Sequence, residues 1–195
     1  MAETLIIADL HLARAEPRTL ALLDAFLERA GEAEAVYILG DLFDYWIGDD
    51  QPLDPAIAER LERFASLSAP VYFQAGNRDF LVGSALLARL GAKALPDQFV
   101  LEQGGRRWLL THGDELCIDD AAYQAMRAQL RDPAFVRDFL ARSLQERIAI
   151  AEDLRNKSKT ASSSKPEDIM DVNAAAVDEL LERTARSEEH TSELQ

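Results

Sequence analysis

The stretch AVYILGDLFD, residues 35–44, changes character at Gly40: five apolar residues precede the glycine, and Asp41 and Asp44 follow it with Leu42 and Phe43 between them. A short, continuous apolar run bounded by turn residues reads as a strand buried on both faces, and such strands belong to sheets covered by helices. Acids placed straight after the run stand at the strand's carboxyl end, where open α/β sheets form their ligand crevice. The same pattern recurs in IIADLH (residues 6–11), QAGNRDF (74–80) and LLTHGDE (109–115), so four polar clusters follow four apolar strands.

Between these clusters the periodicity changes. Residues 19–30 carry Leu20, Leu23, Phe26 and Leu27 at helical spacing, and 55–67 carry Ile57, Leu61 and Phe64. With strands at 4–8, 35–39 and 71–74, strand and helix alternate, which predicts an α/β fold. Residues 99–102 and 107–110 flank Gly104-Gly105, a hairpin signal that predicts a mixed second half of the sheet. From 133 to 153, Phe135, Phe139 with Leu140, Leu144 and Ile148 recur about every four residues, as in a helix packed on the core or serving as a lid. Residues 155–165, rich in Lys, Asn and Ser, read as an exposed loop or linker.

A chain of 195 residues, 48% of them hydrophobic, suits one domain with a substantial core. The balance of 21 basic against 35 acidic residues, a formal charge of −14, argues against binding nucleic-acid backbones. A single cysteine, Cys117, permits no internal disulfide; no export signal is evident, and a reducing cytoplasm fits. No apolar run approaches the roughly 20 residues that cross a bilayer, which leaves room for a surface that rests on one.

Taken singly, an Asp after a strand is a cap or turn former and a lone His a packing residue. Four clusters at four strand ends argue for more. Carboxylate, imidazole and Asn oxygen donors without cysteine suit manganese, magnesium, iron or zinc. Two ions about 3.5–4 Å apart, bridged by Asp41, can hold a hydroxide for in-line attack on phosphorus. Gly40, Gly76 and Gly113 permit tight turns beside the donors. Arg78 supplies a planar cation for phosphate oxygens. Asp44, Asp79 and Asp114 fit the bracing of such a site through hydrogen bonds, Tyr45 and Trp46 fit the core better than a stacking role, and Cys117 reads as inert.

DLH, GDLFD, GNRD and HGD, in that order, resemble the calcineurin-like metallophosphoesterases, with Arg78 in place of the histidine that many members carry after the asparagine. YILGDLFDYWIGDD, GNRDFL, THGDELCIDDAAYQ and SSSKPEDIMDVN narrow the resemblance to the UDP-2,3-diacylglucosamine diphosphatase family of lipid A biosynthesis, over nearly all of residues 4–185. The resemblance implies a sheet sandwich flanked by helices, with a helical lid insertion over 122–165 that receives acyl chains. It implies two manganese ions, one held by Asp9 and His11, the other by Asn77 and His112, with Asp41 bridging. It assigns catalysis to Asp41, Asn77 and His112, and substrate contacts to Asn77, Arg78, Asp120, Ser158, Ser162 and Lys165. The implied reaction splits the pyrophosphate of UDP-2,3-diacylglucosamine into UMP and 2,3-diacylglucosamine 1-phosphate. The implied setting is the cytoplasmic face of the inner membrane, in peripheral contact and without an obligate protein partner.

The family's Gly-His-x-His, expected about twenty residues after IMDVN, is not reached. Residues 186–195, RSEEHTSELQ, instead resemble a translated sequencing adapter, so the expectation is an incomplete domain over 1–185, lacking C-terminal strands and impaired in activity, with His190 carrying no role. Two rival readings share these motifs. One is a hydrolase of another nucleotide or dinucleoside polyphosphate; the other is a non-catalytic binding module on the same fold.

Overall fold

The computed structural model describes residues 3–13, 16–162, 165 and 167–192, and the chain folds as two compact units, Met1–His112 with Pro133–Glu152, and Gly113–Asp132 with Asp153–Gln195. In the first, β1 (Thr4–Ile7), α1 (Pro17–Ala30), β2 (Ala35–Leu39), α2 (Pro55–Ala65), β3 (Val71–Gln74), α3 (Ser84–Leu90) and β4 (Ala92–Ala94) alternate. The four strands form one parallel sheet in the order β1-β2-β3-β4. The α/β expectation therefore holds, and the strands at 35–39 and 71–74 have the bounds the apolar runs indicate.

Strand alternation sends β2 into two cores. Val36 and Ile38 join Leu5, Leu23, Leu27, Leu61, Phe64 and Phe73 beneath α1 and α2, while Ala35 and Tyr37 face a second cluster with Leu110, Phe99 and Leu101. Pro at the first helical position starts both helices, its missing N–H costing nothing there. Asp54 caps α2 by accepting the Ala56 amide at 2.9 Å.

The hairpin β5 (Phe99–Gln103) and β6 (Arg106–Leu110) is present but does not extend the sheet, correcting the expectation of a mixed one: it forms its own two-stranded antiparallel sheet. β4 already takes the free edge of β3, so the hairpin packs face-on, with Phe99 6.2 Å from Tyr37 between ring centroids. β1, unlike β2, is buried on one face only, since Ile6 is 49% exposed on the face it shares with Tyr37.

The helix read over 133–153 is two: α5 (Pro133–Leu140) and α6 (Leu144–Ser162). A capping box makes the break, with the Ser143 amide donating to Glu146 at 3.0 Å and the Glu146 amide to Ser143 Oγ at 3.4 Å. α6 continues through residues 155–162, which correct the loop expectation; Lys157 pairs with Asp153 one turn back at 2.7 Å. In the second unit, α4 (Ala121–Leu130) and α7 (Ala174–Ser192) are capped by Asp120 and Asn173, and the backbone of α7 stays helical past residue 186. Among the described residues no helix is long and apolar enough to cross a membrane. Leu61→Ala, at a fully buried contact of α2, is expected to cost about 2–5 kcal/mol in urea unfolding.

Candidate metal centre

Adjacent parallel strands deliver adjacent loops. Beyond the ends of β1 and β2 the pairing continues: the amides of Asp9, His11 and Leu12 donate to the carbonyls of Gly40, Asp41 and Leu42 at 3.2, 3.0 and 2.9 Å. Asp9, His11 and Asp41 adopt φ of 56°, 49° and 52°, in the left-handed region that non-glycine residues seldom enter. Such strain persists where surrounding bonds over-determine it and gathers at functional sites. Glycine enters for a different reason at residue 76, where a Cβ would overlap the Asp41 carboxylate.

Asp41 is the centre of the cluster and is 2% exposed. Its Oδ1 accepts the Arg78 amide at 2.9 Å and lies 3.6 Å from His112 Nε2; its Oδ2 lies 3.2 Å from Arg78 Nε and 3.8 Å from His11 Nδ1. Burial pushes its carboxyl above the usual range, although the Arg78 amide, both histidines and the guanidinium oppose that. Arg78 also gives Nη1 to Asp44 at 3.0 Å, so Asp44 aims the guanidinium. Asp79 is fully buried and accepts the amides of Gly76 and Leu42 at 2.8 Å and of Asp41 at 3.3 Å. Burial, opposed by the Gly76 amide, pushes Asp79 up to about 6. It ties the 40–42 loop to the 76–78 loop.

The residues present fit a divalent cation. The Leu39 carbonyl can only accept, so at 3.0 Å it takes the His112 Nδ1 proton and leaves Nε2 of the neutral ring with a lone pair. Asn77 Oδ1 lies 3.0 Å and Asp41 Oδ1 3.6 Å from that nitrogen, so in this tautomer three acceptors converge. His11 Nδ1 is buried and has no hydrogen-bond partner among the described residues. Donor atoms of Asp9, Asp41 and His112 all lie within 4.8 Å of one another, a spacing that suits one ion. The structure thus gathers Asp9, His11, Asp41, Asn77, Arg78 and His112 in the first unit.

The remaining expected site residues belong to the second unit. There Asp120 caps α4 by accepting the Tyr123 amide at 3.0 Å and pairs with Lys165 at 2.5 Å. Ser158 is exposed on α6, and the side chain of Ser162 lies outside the described residues. Asp114 accepts from Tyr123 Oη at 2.9 Å and from Arg127 Nε at 2.6 Å. Burial opposes its ionisation, yet these partners hold its carboxyl below the usual range. Residue-type reading missed Asp49, Asp50 and Arg147; the doubled acid after Gly48 was the available signal.

Parallel strand ends that carry an Asp-His-Asn donor set beside an arginine define a metal-dependent phosphoesterase. Residues 3–179 match the calcineurin-like phosphoesterase family, and the chain belongs to it. Among its relatives, the UDP-2,3-diacylglucosamine hydrolase of Aromatoleum aromaticum is 46% identical over 180 residues, 91% of this chain and 74% of that protein. The proteins of the same name from Xanthomonas campestris pv. campestris, at 46% over 90% of this chain and 75% of theirs, and from Bordetella pertussis, at 48% over 89% and 69%, are similar to the same extent. Gly76→Ala, which presses a methyl onto the Asp41 carboxylate, is expected to weaken divalent-metal binding roughly 10- to 100-fold in calorimetric titration.

Proposed function

We propose that the chain is a UDP-2,3-diacylglucosamine hydrolase that splits the pyrophosphate into UMP and 2,3-diacylglucosamine 1-phosphate, a step of lipid A biosynthesis. The observation that carries this is the 46–48% identity to hydrolases of that name over about nine-tenths of the chain. The geometry supports the reaction type, because the donor set and Arg78 meet at one point. The reading gives the site two Mn2+ ions, with Asp9 and His11 holding one, Asn77 and His112 the other and Asp41 both; Mg2+, Fe2+ and Zn2+ suit the same donors. Bound there, the ions supply Lewis acidity to the hydrolytic water and the phosphoryl oxygens.

The chain's own side chains account for the rest. The Leu39 carbonyl keeps the His112 proton on Nδ1, away from the reacting group. Arg78, with a side chain 38% exposed while Asp41 and Asp44 hold two of its nitrogens, presents its remaining N–H groups to phosphate oxygens. Stabilisation of charge as it develops is where such a cation acts. Lipid chains would meet α5 at Leu140, which is 40% exposed, while Phe139 is buried beneath and stacks on Phe135 at 6.0 Å. On this reading the enzyme works from the cytoplasm in peripheral contact with the inner membrane, and an exposed apolar residue on α5 supports such contact.

The test is release of UMP from UDP-2,3-diacylglucosamine in detergent micelles with Mn2+. Release that ends with a chelator and with Asp41→Ala supports the proposal. Cleavage of another nucleotide but not this one assigns the site a different substrate, and metal binding without turnover of either supports a non-catalytic module. In the active enzyme, Arg78→Ala is expected to lower kcat about a hundredfold to a thousandfold, with metal affinity nearly unchanged.

A further inference from the structure

The loop at residues 44–51 is held from three sides by contacts within the first unit. At one end, the Trp46 amide donates to the Arg78 carbonyl at 2.8 Å, and Asp44 accepts from the Arg78 guanidinium. In the middle, Asp49 accepts the amides of Gly83 at 2.9 Å, Ala85 at 2.8 Å and Leu86 at 3.2 Å, which fastens the loop to the start of α3. On the third side is Arg147 of α6. Its Nη1 donates to the Ile47 carbonyl at 2.6 Å and to Asp50 Oδ1 at 2.8 Å, while Nη2 pairs with Asp50 Oδ2.

Arg147 is 3% exposed and Asp50 is exposed, so the guanidinium is buried against the loop with one open carboxylate as its counter-charge. Gly48, at φ 128°, makes the slot: a Cβ there would lie 2.5 Å from Arg147 Nη1 and 3.1 Å from Leu140. Taking an arginine out of water is costly, and a salt bridge recovers that cost only with close geometry. A helix needing only burial would carry an apolar residue here. Bidentate pairing fixes direction and register as well as proximity, and the segment it fixes carries Phe135, Phe139 and Leu140.

We infer that Arg147 and Asp50 form a positioning latch: they set segment 133–152 on the loop that supports Arg78, and thereby favour a phosphate anhydride or ester with a large apolar part over a small soluble one. Neither residue touches the reacting atoms. This deepens the proposed function and rests on it for the lipid substrate.

Arg147→Met, Arg147→Lys and Asp50→Asn test the latch in the full chain. For each, kcat and KM would be measured with micellar UDP-2,3-diacylglucosamine and with bis(4-nitrophenyl) phosphate, beside Mn2+ titration and a thermal midpoint. Arg147→Met and Asp50→Asn are expected to lower kcat/KM for the lipid substrate by about tenfold or more through KM, and for the small ester by less than about threefold. Mn2+ affinity is unchanged, and Arg147→Lys recovers part of the loss. A parallel fall for both substrates, or no change for the lipid one, overturns the latch. Asp50→Asn, which keeps the shape and an acceptor, decides the matter if Arg147→Met does not fold.

If the wild-type chain leaves the lipid substrate intact, the substrate reading fails by itself and amide hydrogen exchange decides the latch. Exchange over 133–152 in the Asp50→Asn protein that is faster than wild type by about tenfold supports it. Equal exchange rejects it.

Discussion

The burial of one carboxylate governs the first unit. Asp41 is 2% exposed, and an ionised carboxylate removed from water must be repaid by donors and cations. The Arg78 amide, the Arg78 guanidinium, His11 and His112 stand around it for that reason, drawn from three different loops. They do not complete the repayment, since burial still lifts its carboxyl. An incompletely compensated anion beside the lone pairs of His112 and Asn77 is a site prepared for positive charge. The parallel sheet brings the loops after β1, β2 and β3 into register around one side chain, and the hairpin adds His112 from the end of β6.

Support for the centre is layered outward. Asp79 carries no ligand role in this geometry; it gathers three amides and joins the loops after β2 and β3. Asp44 aims Arg78, and the loop that follows is pinned to α3 by Asp49 and to α6 by Asp50. Asp41, Asp44, Asp49 and Asp50 thus have four separate tasks within ten residues: the centre, the guanidinium, a helix start and a second helix. Strain accompanies this arrangement at Asp9, His11 and Asp41, whose left-handed backbone the flanking amide-carbonyl bonds hold in place.

Much of this was legible because strands that are buried on both faces announce themselves as apolar runs. Residues 35–39 and 71–74 matched their strands in full, and the polar residues after them named the centre. Ala92–Ala94 carries no strand signal, since Ala and Lys favour no pleated surface; it is a strand because the open edge of β3 pairs with it. That pairing is also why the hairpin lies on the sheet's face instead of extending it. Ser143 and Glu146 wrote the break between α5 and α6 openly as a capping box, whereas the apolar periodicity ran across it. Beyond 155, helix formers and local ion pairing outweighed the polar composition that suggested a loop.

The sequence by itself determined the alternation of strand and helix, the identity of the donor set at the strand ends and, through its motifs, the family. Those are properties of residue type and local spacing, which each segment carries wherever it is placed. Tertiary structure alone decided which of the acids is the buried centre, which way His112 holds its proton, that Asp79 braces loops and that Arg147 reaches Asp50. Each of these depends on desolvation or on a partner dozens of residues away, and neither exists until the chain has folded around it.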